Sequence, residues 1–275
     1  MLSFKEMQML VEKEYSIEDT RKDLNRIAEF FKSQPYHEQY IEIAFIQERK
    51  LPKWIADEQK IFFIDEDILI SEIPKEFHAE SLGIIKKGRS IYGGRLIYPV
   101  MDVKGDIMGF CGWDKFEQPK YLDSRNHGYK AKATTFYGME KLSQYYKSNK
   151  HVYVVEGIVC CLYLRSIGLQ AIALLGSNLS PYVIQILRRF GNKLIVIPDN
   201  DVIGKQINSL DNLPAGEHLV KLVKKYLPLA IIIQSIVDKD VDDTRQHKDK
   251  ELLFKQELYE VANNPYLFYS TIRIR

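Results

Sequence analysis

Lys193-Leu-Ile-Val-Ile-Pro-Asp-Asn-Asp201 decides the fold: an apolar run of strand length breaks at a proline and ends on two carboxylates two residues apart, with Gly204-Lys205 just beyond. Short apolar runs bounded by turn residues read as buried strands of a parallel sheet when helical periods lie between them. Two further runs have the same form. His151-Val-Tyr-Val-Val155 ends on Glu156-Gly157, and Ala230-Ile-Ile-Ile-Gln-Ser-Ile-Val237 ends on Asp238-Lys-Asp-Val-Asp-Asp243. In an open α/β sheet, ligands bind beyond the carboxyl ends of the strands. Carboxylates from separate strand ends can converge there, as hard divalent cations such as Mg²⁺ require.

Around these runs strand and helix alternate from 151 to 237. Strands are expected near 152–155, 170–175, 193–198 and 229–237, and helices over 157–167, 179–190 and 204–226, with Ser180-Pro181 as N-cap and first helical residue. The texture upstream differs. From Leu82 to about Tyr121, short β-like runs are punctuated by glycine, and Lys104-Gly105-Asp106 reads as a hairpin turn, so a small antiparallel sheet is expected. Before it, a helix is expected from Ser16 to Lys32, with Ile27, Phe30 and Phe31 on its apolar side, and a second helical stretch from Tyr40 to Arg49 that Leu51-Pro52 interrupts. A last amphipathic helix is expected over 248–262, followed by an apolar, aromatic tail. The fold class is α/β: a Rossmann-like parallel sheet preceded by a mixed α+β subdomain.

Composition narrows the setting. With 45% hydrophobic and 28% charged residues in 275, the chain falls in the ordinary globular class and outside the disordered one. No apolar run approaches the roughly 18 residues of a spanning helix, and the first residues lack a signal-peptide pattern, so a cytoplasmic protein with no membrane partner is expected. Cys111, Cys160 and Cys161 offer no zinc-site spacing, and no structural zinc is expected. Charge is unevenly spread. Residues 1–80 carry 11 basic and 18 acidic side chains, residues 81–150 carry 13 and 6, so the middle third is either a polyanion surface or a solvated basic face.

Taken singly, the acidic residues keep two readings each. Glu156 before a helix serves a cation or the helix dipole. Asp199 and Asp201 straddle a strand-to-helix turn, where they share a cation or one of them caps the helix. Asp240 and Asp242 either reach the same ions or belong to a solvated loop.

In order and separation, Val154-Val-Glu-Gly157, Ala173-Leu-Leu-Gly-Ser177, Ile197-Pro-Asp-Asn-Asp-Val-Ile-Gly-Lys205 and Lys239-Asp-Val-Asp242 resemble the Toprim domain of primases, topoisomerases and related nucleases. The upstream segments Arg95-Leu-Ile-Tyr-Pro-Val-Met-Asp-Val-Lys-Gly-Asp-Ile-Met-Gly-Phe110, Pro119-Lys-Tyr-Leu-Asp-Ser124 and Thr135-Phe-Tyr-Gly-Met139 are similar to the amino-terminal subdomain of the bacterial DnaG-type primase catalytic core. Tyr40-Ile-Glu-Ile-Ala-Phe-Ile-Gln-Glu-Arg-Lys-Leu-Pro-Lys-Trp-Ile55 is similar to the opening of that subdomain.

The resemblance implies synthesis of short RNA primers on a single-stranded DNA template from ribonucleoside triphosphates. It implies a Toprim-type parallel sheet and the division 1–39 helical extension, 40–148 amino-terminal subdomain, 149–246 Toprim domain and 247–275 C-terminal helix and tail. Glu156, Asp199 and Asp201, with Asp240 and Asp242, would hold Mg²⁺ or Mn²⁺; Arg95, Lys120, Tyr121 and Lys132 would line a basic track for the template. Ser177 and Asn178 would meet nucleotide phosphates or cap a helix.

The family's first motif continues to an aspartate four residues after the glutamate. Cys160 stands there, so a site one negative charge short, with weakened or Mn²⁺-shifted activity, is expected. The family's zinc ribbon and helicase-binding domain have no counterpart in the sequence, so replication partners (a helicase or a separate zinc-ribbon factor) are expected, in a trimmed phage or plasmid version of the enzyme. Two other functions fit the same residues: a catalytically degenerate primase-like protein that binds DNA or a replication or transcription complex, and a Toprim nuclease.

Overall fold

The computed structural model describes residues 17–67, 70–124, 134–176, 178–200, 215–233 and 240–263. Two units divide the chain, Met1–Lys132 and Ala133–Arg275.

In the first unit, helix α1 (Ile17–Lys32) is followed by the single turn α2 (His37–Tyr40), a π-helical stretch over Ile41–Glu48, and α3 (Lys53–Glu58). The strands are β1 (Phe62–Ile64), the short pair β2 (Ile85–Lys86) and β3 (Arg89–Ser90), then β4 (Arg95–Met101), β5 (Ile107–Trp113) and β6 (Tyr121–Asp123). Four of them form an antiparallel sheet in the order β1-β4-β5-β6. Leu24, Ile27, Ala28 and Phe31 recur at helical spacing on α1 and are buried in one core with Phe62, Ile97 and Phe110 from the sheet. The Phe31 and Phe62 rings stack, with centroids 5.8 Å apart. Each such side chain contributes roughly 1.5–3 kcal/mol on burial.

The β4–β5 hairpin closes where the sequence places it. Asp102 Oδ1 accepts the Lys104 and Asp106 N–H groups at 2.7 and 3.1 Å, and Gly105 takes the left-handed conformation (φ +86°) the turn needs. Arg21 from α1 reaches both Asp102 (3.3 Å) and Asp106 (3.1 Å), tying the helix to the turn.

The second unit contains α4 (Leu142–Lys147), β7 (Val152–Val155), α5 (Ile158–Ser166), β8 (Gln170–Ala173), α6 (Pro181–Arg188), β9 (Leu194–Val196), α7 (Ala215–Tyr226), β10 (Ile231–Ile232), α8 (Val241–Arg245) and α9 (Lys248–Asn263). Its sheet is parallel throughout, in the order β10-β9-β7-β8. Every residue of β7 and β9 is buried, as a sheet covered on both faces requires. Ser180 caps α6 by accepting the Val183 N–H at 3.2 Å, with Pro181 at the first helical position.

Three strands end sooner than their apolar runs. β8 stops at Ala173, before Leu175 turns left-handed (φ +59°), and β9 stops at Val196, before Pro198, which has no N–H for a ladder. In β10 only Ile231 and Ile232 pair as a strand, while 234–239 lie outside the described residues. The segment before β7 is pinned to the same sheet: Tyr137 and Ala173 exchange backbone hydrogen bonds at 2.7 and 3.0 Å. Gly138 (φ +100°) follows, and a Cβ there would lie 2.5 Å from Arg165 Nη2. Arg165 is buried. It donates to the Ala171 carbonyl and to Glu140 Oε1, each at 3.0 Å.

Candidate active site

A parallel sheet puts all its carboxyl ends on one side, so β7, β8, β9 and β10 end on a common rim. Backbone bonds lace that rim together. Ile197 N–H donates to Val154 O (2.8 Å), Leu174 N–H to Val155 O (2.9 Å) and Leu175 N–H to Glu156 O (3.1 Å). Glu156 is only 8% exposed, and its Oε1 accepts the Asp199 N–H at 3.0 Å. The carboxylate after β7 therefore fixes the backbone of the turn after β9, bringing the first and second acidic motifs side by side.

Gly216, in the first turn of α7, packs on that same turn. A Cβ there would meet the Asp199 carbonyl oxygen at 1.9 Å, so only glycine permits the approach. Nearby, His218 Nε2 pairs with Asn178 Oδ1 at 3.0 Å, which links α7 to the turn after β8.

Cys160 lies buried in the first turn of α5, among the acidic motifs. Burial, then the negative charges of Asp240, Asp199 and Asp242, push its thiol well above the usual range, so it stays protonated at neutral pH. The charges of Asp240, Asp199 and Asp242 thus all act on one buried sulfur. Cys161, one residue on, is pushed up to about 12 by burial.

The third motif is structured. Asp240 caps α8, its Oδ1 accepting the Asp243 N–H at 2.9 Å, while Thr244 Oγ1 donates back to the Asp240 carbonyl at 2.9 Å. Asp242 Oδ1 receives Arg245 Nε at 2.7 Å and Nη2 at 2.5 Å. Sequence reading did not single out Arg245; the i, i+3 spacing from Asp242 was its one signal.

Carboxylate oxygens at strand ends are the donor set of a hard divalent cation, and their chemistry fits one. Among the described residues no three His, Cys, Asp or Glu side chains close on a common ion position. Asp201, expected as a ligand, lies outside the described residues, as do Ser177 and Lys132.

In the first unit, the basic residues divide. Lys120 is exposed, and Tyr121 is half exposed with its hydroxyl taking a hydrogen bond from Arg49 Nη2 at 3.1 Å. Arg49 in turn stacks over the Trp113 ring, 3.8 Å from its centroid. The sequence reading gave neither Arg49 nor Trp113 a role at the site. Arg95 departs from the expected track residue: at 5% exposure its guanidinium lies beneath the surface, donating to the carbonyls of Pro119 (3.1 Å) and Lys120 (3.3 Å). It holds the loop that presents Lys120, because a buried cation must spend its donors on local acceptors.

Residues 30–143 match the family described as the DNA primase catalytic core, N-terminal domain. This segment resembles a DnaG-type primase core domain. Bacterial primases are similar in sequence: that of Legionella pneumophila is 33% identical over 134 residues, covering 46% of this chain and 23% of the relative. That of Clostridium acetobutylicum is 30% identical over 150 residues, covering 51% and 25%. The chain therefore spans about a quarter of the length of these primases. The primase-core fold extends over both units. The E. coli primase catalytic core superposes with a TM-score of 0.67 at 20% identity, covering 89% of this chain and 80% of that one. A DnaG primase catalytic domain bound to ssDNA superposes at 0.68 and 20% identity, covering 88% and 78%. Among the described residues, no helix of this primase-like chain is long and apolar enough to cross a membrane.

Proposed function

We propose that the chain is a primase catalytic core that joins ribonucleotides into short RNA primers on single-stranded DNA, using Mg²⁺ or Mn²⁺. The observation that carries this reading is the acidic rim: Glu156 bonded to the Asp199 backbone, with Asp199, Asp240 and Asp242 acting on the Cys160 thiol, in a chain with a primase-core fold. Glu156, Asp199, Asp201 and Asp240, with Asp242 beside them, would hold the metal. When bound, a divalent cation at such a rim supplies charge neutralisation for a departing pyrophosphate and activation of a primer hydroxyl. Glu156 would also keep the Asp199 turn in place as nucleotides enter, through its bond to that turn's N–H. Lys120 and Lys132 would attract template phosphates, and Tyr121, steadied by Arg49, would offer a base-stacking face. Arg95 would act on the template through the Pro119–Lys120 backbone it holds. Functionally we divide the chain as a helical extension (1–39), the amino-terminal subdomain (40–148), the Toprim domain (149–246) and the C-terminal helix and tail. Replication proteins such as a helicase or a separate zinc-ribbon factor are the partners such a core would need.

One assay tests the reading. The protein is incubated with single-stranded DNA, labelled ribonucleotides and Mg²⁺ or Mn²⁺. Short RNA is expected; cleaved DNA would favour the nuclease instead. A second reading, DNA binding without catalysis, draws on the neutral thiol of Cys160 amid the acidic rim. It predicts neither product, even with the partner proteins added, together with retained single-strand binding.

A further inference from the structure

The amino end of the parallel sheet, opposite the acidic rim, carries a cavity that primer synthesis does not use. β9 begins at Leu194 and β10 at Ile231, and the segments just before them, with the ends of α6 and α7, enclose about 340 Å³. Buried Leu187, Leu194 and Leu227 line it together with exposed Pro228 and Leu229, the last 59% exposed. Ligand pockets start at roughly 300 Å³. At about 3.3 Å per residue, β9 alone puts roughly 10 Å between cavity and rim, so an occupant leaves the rim uncovered. The walls are fastened to each other: Arg188 Nε donates to the Tyr226 carbonyl at 3.0 Å, joining the end of α6 to the end of α7.

The charge around this apolar lining has one sign. The stretches that build the cavity, 179–198 and 218–237, contain no Asp or Glu. Arg188 and Arg189 close α6, Lys224 and Lys225 close α7, and all four are exposed. Basic residues at helix C-termini complement the helix dipole, which is the ordinary reason to find them there. It accounts for part of the charge only. Two helix ends together present about one negative charge, so roughly three positive charges remain.

An exposed apolar surface with a polar rim marks an interaction site, and here the rim calls for an anion. A nucleic-acid strand fits poorly. Besides Arg188, Lys225 and Tyr226, no lining side chain can hydrogen-bond a base or sugar, and the Tyr226 ring has Lys225 over it, 4.9 Å from its centroid. The leucines suit an apolar side chain instead.

We propose that this cavity docks an acidic peptide segment of a partner protein. One apolar side chain of the peptide seats among Leu187, Leu194, Leu227 and Leu229, and its flanking carboxylates face the cations that close α6 and α7. The buried anchor supplies most of the affinity, and the charges steer the peptide and set its register. The proposal does not depend on the chemistry performed at the rim.

Fluorescence anisotropy of the labelled peptide fluorescein-Asp-Asp-Leu-Phe-Asp-Asp with the full chain tests it. Saturable binding is expected with a Kd of about 10–300 μM at about 50 mM salt, the range open to one anchor and a few rim charges. A probe with Ser-Ser in place of Leu-Phe should bind at least about tenfold more weakly. In the protein, Leu229→Asp puts a like charge at the apolar lining and Lys225→Glu reverses one of its cations. Both positions are exposed, so both variants should keep the parent circular dichroism. Each should weaken the Leu-Phe probe about fivefold or more, whereas Lys248→Glu, an exposed position on α9 outside the lining, should stay within about twofold. Equal binding of the Ser-Ser probe, unchanged binding in Leu229→Asp, or no saturation below about 1 mM would overturn the proposal. So would an equal loss of binding to a labelled thymidine oligonucleotide in Leu229→Asp and Lys225→Glu, which would give the surface to nucleic acid.

Discussion

The two sheets of this chain use the same apolar materials and place their polar chemistry differently. In the antiparallel β1-β4-β5-β6 sheet, neighbouring strands end on opposite sides, so adjacent strand ends do not share a rim. Its polar residues work at turns and edges: Asp102 closes a hairpin, Arg95 holds a loop, and Arg49 braces Tyr121. In the parallel β10-β9-β7-β8 sheet every strand ends on the same side, and Glu156 and Asp199 meet there. Strand direction thus decides whether carboxylates at adjacent strand ends can meet, which the proposed cation site requires.

The largest expected effect comes from the buried pair that ties the segment before β7 to the parallel sheet. Arg165→Met leaves Glu140 buried without its guanidinium partner and should cost about 3–5 kcal/mol in urea unfolding. A loss below about 1 kcal/mol would mean that the pair is not what anchors this segment. Glu156→Gln comes next. If the acidic rim is catalytic, primer synthesis should fall about 10²–10³-fold with the thermal midpoint nearly unchanged, and a fall in stability with unaltered synthesis would reverse that assignment.

Smaller effects sharpen the other side of the comparison. Tyr121→Ala should weaken single-strand binding, measured by fluorescence anisotropy, by about 1–3 kcal/mol, with primer synthesis restored at saturating template. Equal affinity in the variant would remove the stacking role from this sheet. The last effect concerns pH and is absent under neutral conditions. Burial raises the Cys161 thiol to about 12, so the folded state keeps a proton that the unfolded chain releases above its ordinary value near 8.5. Its contribution is therefore complete below about pH 8.5 and is lost as pH rises toward 12, by roughly 1.4 kcal/mol per unit. Cys161→Ala should flatten that alkaline slope in urea titrations; an identical slope would assign it to other groups.

Much of this was legible before any coordinates. The αβ alternation from 151, the hairpin at Lys104-Gly105-Asp106, the Ser180-Pro181 start and the α1 core positions rest on short-range periodicity and turn chemistry, and the structure has all four. Strand lengths were less legible, because an apolar run continues past the last ladder bond when a proline or a left-handed residue follows, as at Pro198 and Leu175. At the candidate site, the proximity of Glu156 to Asp199 was expected, but the hydrogen bond to the Asp199 backbone was not.

By itself the sequence determined that a parallel sheet would carry acidic turns and that a basic, glycine-punctuated sheet would precede it. Those features depend on residue order over a few positions. Only the tertiary structure decided which partner each charge takes: Arg95 beneath its loop, Arg49 on Trp113, and Arg245 enclosed by Asp242 and Tyr163. A charged side chain pairs with whatever packing brings near once water is excluded, and those neighbours are distributed along the chain by the fold.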